Sequence, residues 1–243
     1  MAEAALDRIS GLLDMEEEEE GENELIAKKD KIDFEEVSFS YGSQDVFTDL
    51  SLSFRRGMNF LMGDNGTGKT TMLNLVGKLY KPDSGIVKID GQDIAQIKLS
   101  SLRKNISFLS QDVQLLDTSI YENILLGNLE ASKEEVIRVA KFARAHDFIS
   151  KLPDGYGTMV GEEGLKLSGG EKQKIALARA VLKGAPIMLL DEVTSSVDAE
   201  SRKSIYGTLR ELQEDRIIII TTHDYSEIKQ GDKIIDLNRS SCV

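Results

Sequence analysis

Gly63-Asp64-Asn65-Gly66-Thr67-Gly68-Lys69-Thr70-Thr71 decides the fold. The apolar run Met58 to Met62 before it reads as a short buried strand, and Met72, Leu73, Leu75, Val76 and Leu79 after it fall at helical spacing. Strand, glycine loop and helix in that order make a phosphate cradle. Gly63, Gly66 and Gly68 let the backbone turn its N–H groups onto one small volume, with Asn65 and Thr67 between them, and the helix adds the positive end of its dipole. Lys69 is placed to reach terminal phosphates as a point charge, Thr70 to offer a hydroxyl to Mg²⁺, and Thr71 to touch a phosphate nearer the sugar. A glycine-rich turn matching by chance would not need the strand before, the helix after and Lys-Thr in register.

The totals bound what such a loop can belong to. With 243 residues, 40% of them hydrophobic, the chain suits one large domain or a domain with a subdomain. Its single cysteine, Cys242, can form no internal disulfide and fits a reducing compartment. No apolar run approaches the ~18 residues of a membrane helix, and no basic-then-apolar signal opens the chain. The net charge of −12 is concentrated at one end, where residues 1–30 hold eleven acids against three bases. The body is near balance and offers no broad basic face for a nucleic-acid partner.

Along the chain, Ala5, Leu6, Ile9, Leu12 and Leu13 share one side of an expected helix over residues 3–15, and Glu16–Glu20 then reads as a solvated linker. An apolar helix face with little chain to cover it either packs on the domain or frays, or, the reading favoured here, continues from a segment upstream. From Lys31 to Phe54 the pattern alternates through Ile32, Phe34, Val37 and Phe39, then Phe47, Leu50, Leu52 and Phe54, around a turn at Tyr41-Gly42-Ser43. Those are antiparallel strands. Tyr41, at the end of one, reads equally as a core or edge aromatic and as a platform for a purine ring.

Strands are expected at Ile86–Ile89 and Ile106–Leu109, with a helix near Leu99–Lys104 between them, and helical patterns fill residues 119–150. Leu167-Ser168-Gly169-Gly170 then leads into a helix from Glu171 to Leu182, a second glycine-bearing helix start with Ser168 as its cap. The run Pro186–Leu190 reads as a strand buried on both faces and ends in Asp191-Glu192, carboxylates aimed at the crevice where open α/β sheets bind ligands. A helix bearing Ile205, Leu209 and Leu212, a strand at Ile217–Ile220 ending in Thr221-Thr222-His223, and a last strand at Lys233–Leu237 complete the chain. The expected fold is one α/β domain with an antiparallel N-terminal part and a helical insert.

Taken together, these motifs resemble the nucleotide-binding domain of ATP-binding cassette (ABC) transporters from Lys31 onward. The resemblance implies a P-loop NTPase core with a mostly parallel sheet, an N-terminal antiparallel β subdomain and an α-helical signature subdomain at about residues 112–183. It implies that Tyr41 stacks on adenine, that Gly63–Thr71 is the phosphate loop, and that Gln111 contacts Mg²⁺ and the attacking water. Ser168, Gly169 and Gly170 match the signature motif, Asp191 the metal-linked aspartate, Glu192 the catalytic glutamate and His223 the switch histidine. Alone, His223 is an ordinary hydrogen-bonded histidine and Asp191 a helix cap or ion-pair partner. Glu171 stands where the family often has glutamine, and Ser196-Val197 where it often has Ala-Leu, departures that touch communication between sites.

The segment Pro153–Gly164 and the leading helix Asp7–Asp14 are similar to those of ABC exporters, which makes residues 1–30 a linker from a membrane domain and residues 31–243 the ATPase domain. By the resemblance, two such domains bind head to tail at the cytoplasmic face of a membrane, burying ATP and Mg²⁺ between the phosphate loop of one and the signature tip of the other. A soluble ATPase of the same family, an ATP-sensing module and an importer subunit are the alternatives.

Overall fold

The alternation from Lys31 to Phe54 closes into a hairpin in the computed structural model, which describes residues 21–161, 167–194 and 197–240. β1 (Lys31–Tyr41) and β2 (Gln44–Arg55) pair antiparallel across Gly42, whose φ of 60° suits the turn. Along β1 the buried residues step from Phe34 to Val37 rather than by two, because Glu36 (φ 50°) inserts a bulge that shifts the register. β4 (Ser84–Ile89) joins the free edge of β1, and the two-residue β5 (Gln92–Asp93) joins β4, in the order β2-β1-β4-β5.

The second sheet is parallel throughout. It contains β3 (Gly57–Met62), β6 (Ile106–Leu109), β7 (Ile187–Asp191), β8 (Ile217–Thr221) and β9 (Lys233–Asp236), in the order β6-β7-β8-β3-β9. Successive side chains feed two different cores. Met58, Phe60, Met62, Met188, Leu190, Ile218 and Ile220 face the helical side, while Leu61, Ile187, Leu189, Ile217 and Ile219 face the antiparallel sheet. Each of these fully buried side chains contributes roughly 1.5–3 kcal/mol of gross transfer free energy. Asn59 interrupts the apolar run of β3 and is still only 1% exposed. Its amide nitrogen donates to Arg55 O (2.7 Å), Gly57 O (3.1 Å) and Ile218 O (3.2 Å), and its oxygen accepts from Arg55 N (3.0 Å), so its polar atoms are satisfied internally.

The helix after the glycine loop, α1 (Lys69–Val76), is shorter than its apolar spacing suggests. Gly77 caps it and Lys78 turns left-handed (φ 54°), which puts Leu79 outside the helix and 55% exposed. The remaining helices are α2 (Leu99–Asn105), α3 (Ile120–Leu125), α4 (Lys133–Phe142), α5 (His146–Ile149), α6 (Gly169–Lys183), α7 (Ala199–Leu212) and α8 (Leu237–Ser240). Ser119 with Glu122 and Ser132 with Glu135 form capping boxes that start α3 and α4, and both helices pack on α6. The helical insert therefore stands on the sheet through α6.

Residues 21–30 lie against this body: Leu25 is buried and its amide donates to Ser101 Oγ (2.9 Å). The carboxylate of Asp90 accepts from four successive amides, Lys28 to Lys31, at 2.6, 3.0, 2.9 and 3.0 Å. The expected helix over residues 3–15, the Glu16–Glu20 run, Glu162–Gly164, Ser195-Ser196 and Cys242 lie outside the described residues. No helix among the described residues is long and apolar enough to cross a membrane.

Candidate active site

β3, β7 and β8 end side by side, and their C-terminal ends carry the polar residues the sequence singled out. Gly66 (φ 85°) and Gly68 (φ 92°) take backbone conformations that side chains resist. A Cβ at Gly68 would also lie 2.6 Å from the Phe47 ring and 2.7 Å from Val46, so the start of β2 rests directly on the loop. Lys69, the first residue of α1, is 6% exposed; its ammonium donates to Gly63 O (2.8 Å) and Asp64 O (2.9 Å) and lies 3.9 Å from Glu192 Oε1. The cation is thereby poised at the loop mouth with a carboxylate facing it.

One aspartate ties the three strand ends together. Asp191 accepts from Thr70 Oγ1 at 2.8 Å and from Thr221 Oγ1 at 2.6 Å, and the Thr221 hydroxyl in turn accepts the Glu192 amide at 2.9 Å. Glu192 sits at φ 44°, a left-handed conformation that costs a non-glycine residue on the order of 1 kcal/mol. This kink turns the chain immediately after β7 and places Glu192 between two openings. The larger is a cleft of about 490 Å³ lined by Tyr41, Asn65, Gly66, Gly68, Lys69, Thr70, Thr71, Gln111 and Glu192, together with Gln44 and Val46. The smaller, about 40 Å³, brings Glu192 and His223 together with Thr194, Arg202, Thr222 and Asp224.

Tyr41 is held at the cleft wall. Phe39 and Tyr80 meet it edge to face, at centroid distances of 4.9 and 5.4 Å, and its hydroxyl lies 3.2 Å from Thr71 Oγ1, while 44% of the residue stays exposed. Gly63 and Thr67 act behind the cleft: the first supplies a carbonyl to Lys69, the second donates to Asp64 O at 3.0 Å. Asp191 lies under Thr70. The described residues include no cluster of three metal-binding side chains, yet Mg²⁺ does not need one, since it keeps several waters and takes one or two carboxylates plus phosphates. The neighbouring oxygens of Thr70 and Asp191, with Gln111 at the cleft, are hard donors of that kind.

Ser168, Gly169 and Gly170 do not line the cleft. Ser168 caps α6 with Glu171 in a reciprocal box: Ser168 N and Oγ donate to Glu171 Oε2 at 2.8 and 2.9 Å, and Glu171 N donates back at 3.3 Å. Ser168 and Gly169 are exposed, whereas Gly170 is buried against α7, where a Cβ would come within 2.9 Å of Ser201 Oγ. Two ionisable groups nearby are shifted. The Asp224 carboxyl is held below its ordinary value of 3.8 by the Ser226 amide and hydroxyl and by the charges of Arg202 and His223. Asp198, which caps α7, is lowered by the amide and hydroxyl of Ser201.

Sequence reading missed Gln44, Val46, Tyr80 and Thr221. Gln44 and Val46 come to the cleft through the hairpin that pairs Gln44 with Tyr41, and Tyr80 braces Tyr41 from farther along the chain, while Thr221 carried a legible signal as the hydroxyl that ends an otherwise all-isoleucine strand. On another face, a groove of about 180 Å³ runs between β6 (Phe108), the end of α3 (Leu126, Gly127) and α6 (Ala176, Arg179). Gly127 must be glycine there, because a Cβ would meet Arg179 O at 2.2 Å. Leu126, which lines it, stays exposed.

The ABC transporter family profile matches residues 47–195. The chain is 41% identical over 245 residues to an ATP-dependent lipid A-core flippase of Legionella pneumophila (strain Paris), covering 99% of this chain and 41% of that protein. It is 45% identical over 210 residues to ABC transporter B family member 13 of Arabidopsis thaliana, covering 85% of this chain and 17% of that protein. A bacterial Atm1-family ABC exporter solved with ATP bound superposes with a TM-score of 0.90 at 36% identity, covering 97% of this chain and 42% of that one. The chain thus spans less than half the length of these relatives. With the family profile over more than half its length and the loop, strand ends and capped second helix in place, the chain belongs to the ABC transporter family.

Proposed function

We propose that this chain is the ATP-binding and ATP-hydrolysing domain of an ABC exporter, working as a head-to-tail pair at the cytoplasmic face of a membrane. The arrangement of Lys69, Thr70, Asp191 and Glu192 around one cleft carries this reading. The loop amides of Gly63–Thr71 and Lys69 hold the β- and γ-phosphates, the lysine exchanging its carbonyl partners for phosphate oxygens. Tyr41 stacks on adenine and Thr71 meets a phosphate nearer the ribose. Thr70, Asp191 and Gln111 would hold Mg²⁺, which neutralises charge on the phosphates. Glu192 takes a proton from the attacking water, with His223 supporting that water and the γ-phosphate.

The tip Ser168–Gly170, exposed at Ser168 and Gly169, serves the cleft of a second copy. ATP then joins two chains through its γ-phosphate, and hydrolysis removes the joint. Residues 1–30 are the linker from the membrane domain and residues 112–183 the helical subdomain. The groove beside Phe108, Leu126 and Arg179, with the surface from Gln111 to Glu122, receives cytoplasmic loops of that domain.

Mixing two dead variants tests the head-to-tail arrangement. Lys69→Ala ruins the loop of one chain and Ser168→Arg the tip of another, so each alone is inactive. A mixed pair retains one intact site made from the good loop and the good tip, and ATPase activity should rise to roughly a quarter of wild type at equal mixing. If each site lay within one chain, the mixture would stay as inactive as its parts.

A further inference from the structure

Helix α7 touches three functional places at once. At its first turn, Ser201 and the Asp198 cap receive Gly170 of the α6 tip, with the Ser201 amide donating to Asp198 Oδ1 at 2.9 Å. One residue on, Arg202 Nη1 donates to Asp224, the residue after His223. One helical turn further, Tyr206 is 2% exposed, stacks on Phe60 (6.1 Å, 22°), and its hydroxyl faces the side chains of Thr194 and Thr222. Thr194 follows Glu192 by two residues and Thr222 precedes His223, so that phenol lies between the loops leaving β7 and β8. Arg202 and Tyr206 are four apart and share a helix face.

The bonds fix the turn that carries His223. Asp224 accepts from Arg202 on one side and from Ser226 N (2.8 Å) on the other, and its own amide donates to Thr222 Oγ1 (3.0 Å). This is a poor device for stability alone. The pair is about a third exposed, where ion pairs contribute little, and Arg202 Nε is buried with no partner among the described residues.

We propose that α7 sets the distance between Glu192 and His223 through Tyr206 and Arg202, two positioning residues, and transmits to them any displacement of the Ser168–Gly170 tip. In the pair proposed above, on which this inference rests, docking of one chain's tip on its mate's nucleotide pushes on Ser201 and so re-aims the tip-bearing chain's own Glu192 and His223. Each site then reports its occupancy to the other through a single helix.

The chain has only two histidines, His146 and His223, so its imidazole NMR signals are easily told apart. Arg202→Gln, Tyr206→Phe and Gly170→Ala should each move the His223 Cε1–H signal in the nucleotide-free protein and leave His146, bound to Tyr156 at 2.9 Å, in place. An unmoved His223 signal in Arg202→Gln and Tyr206→Phe overturns the proposal whether or not the protein hydrolyses ATP, and an unmoved signal in Gly170→Ala removes the link to the tip. In turnover, Arg202→Glu should lower kcat about tenfold with KM for ATP within about twofold, since neither Arg202 nor Asp224 reaches the nucleotide cleft. Reversing both charges, Arg202→Glu with Asp224→Arg, should restore kcat to within about threefold of wild type. A folded double variant as slow as the single one overturns the proposal, whereas a wild type without ATPase activity overturns the functional reading and leaves the NMR result to decide this one.

Discussion

The two glycine-bearing helix starts of this chain stand in opposite surroundings. At the first, Lys69 is nearly buried, Thr70 is tied to Asp191, and a cleft of about 490 Å³ stands over the amides. At the second, Ser168 and Glu171 satisfy each other, and Ser168 and Gly169 face solvent and take no part in lining that cleft. Both offer free N–H groups and the positive end of a dipole, so composition alone would make them equivalent. The difference lies in the surroundings. The Phe47 side of the antiparallel sheet closes over Gly68, whereas the other tip has the flank of α7 beneath Gly170 and, at Ser168 and Gly169, exposed residues. A site that holds a ligand must be walled; a tip proposed to complete another molecule's site must protrude.

The largest test of this contrast is Glu192→Gln. Only the walled site has a carboxylate at the place where γ-phosphate would be attacked, so kcat should fall about 10²- to 10⁴-fold, the range for loss of a general base. ATP affinity should hold or rise, because Lys69 loses a competing anion 3.9 Å away. ATP-dependent dimers measured by light scattering should persist. Turnover near the wild-type rate would remove Glu192 as base and with it the chemical distinction between the two helix starts.

Less drastic is Ser168→Ala at the protruding tip. Loss of the cap should lower stability by about 1 kcal/mol, read as a shift in the denaturant midpoint. Steady-state hydrolysis should drop about tenfold, while ATP affinity measured at concentrations that keep the chain monomeric stays within about twofold. A matching loss of monomer affinity would mean that the tip serves its own chain, and the contrast drawn above would fail.

These two regions were not equally legible. The phosphate loop announced itself because its glycines, lysine and threonine act within a span of nine residues and sit between a strand and a helix that show their own periods. The Ser168 cap was legible for the same local reason, as serine followed three residues later by glutamate. What escaped was non-local or too short to have a period. Leu79 kept helical spacing, yet Gly77 and the left-handed Lys78 had already ended the helix. β5 is two polar residues paired with β4, which no alternation can reveal. Tyr80 bracing Tyr41 and Arg202 bracing Asp224 each join residues 39 and 22 positions apart, distances at which pattern carries nothing.

The smallest expected effect concerns acid, and it separates the α7 flank from the loop. Asp198 and Asp224, which anchor α7 at its cap and beside His223, are both lowered from the ordinary 3.8 by bonds to Ser201 and Ser226 respectively and, for Asp224, by Arg202. Folding therefore favours their ionised forms. The stability they contribute is complete above the unfolded value, is unchanged from about pH 5 upward, and is lost as pH falls through the lowered folded values. Asp224→Asn should thus be less stable than wild type at about pH 6, by no more than about 1 kcal/mol for a pair this exposed, and equal to it at about pH 2. Urea midpoints taken across that range read the difference directly. A gap that stays constant with pH would mean that Asp224 acts through packing rather than charge, and charge reversal with Arg202 could then rescue nothing.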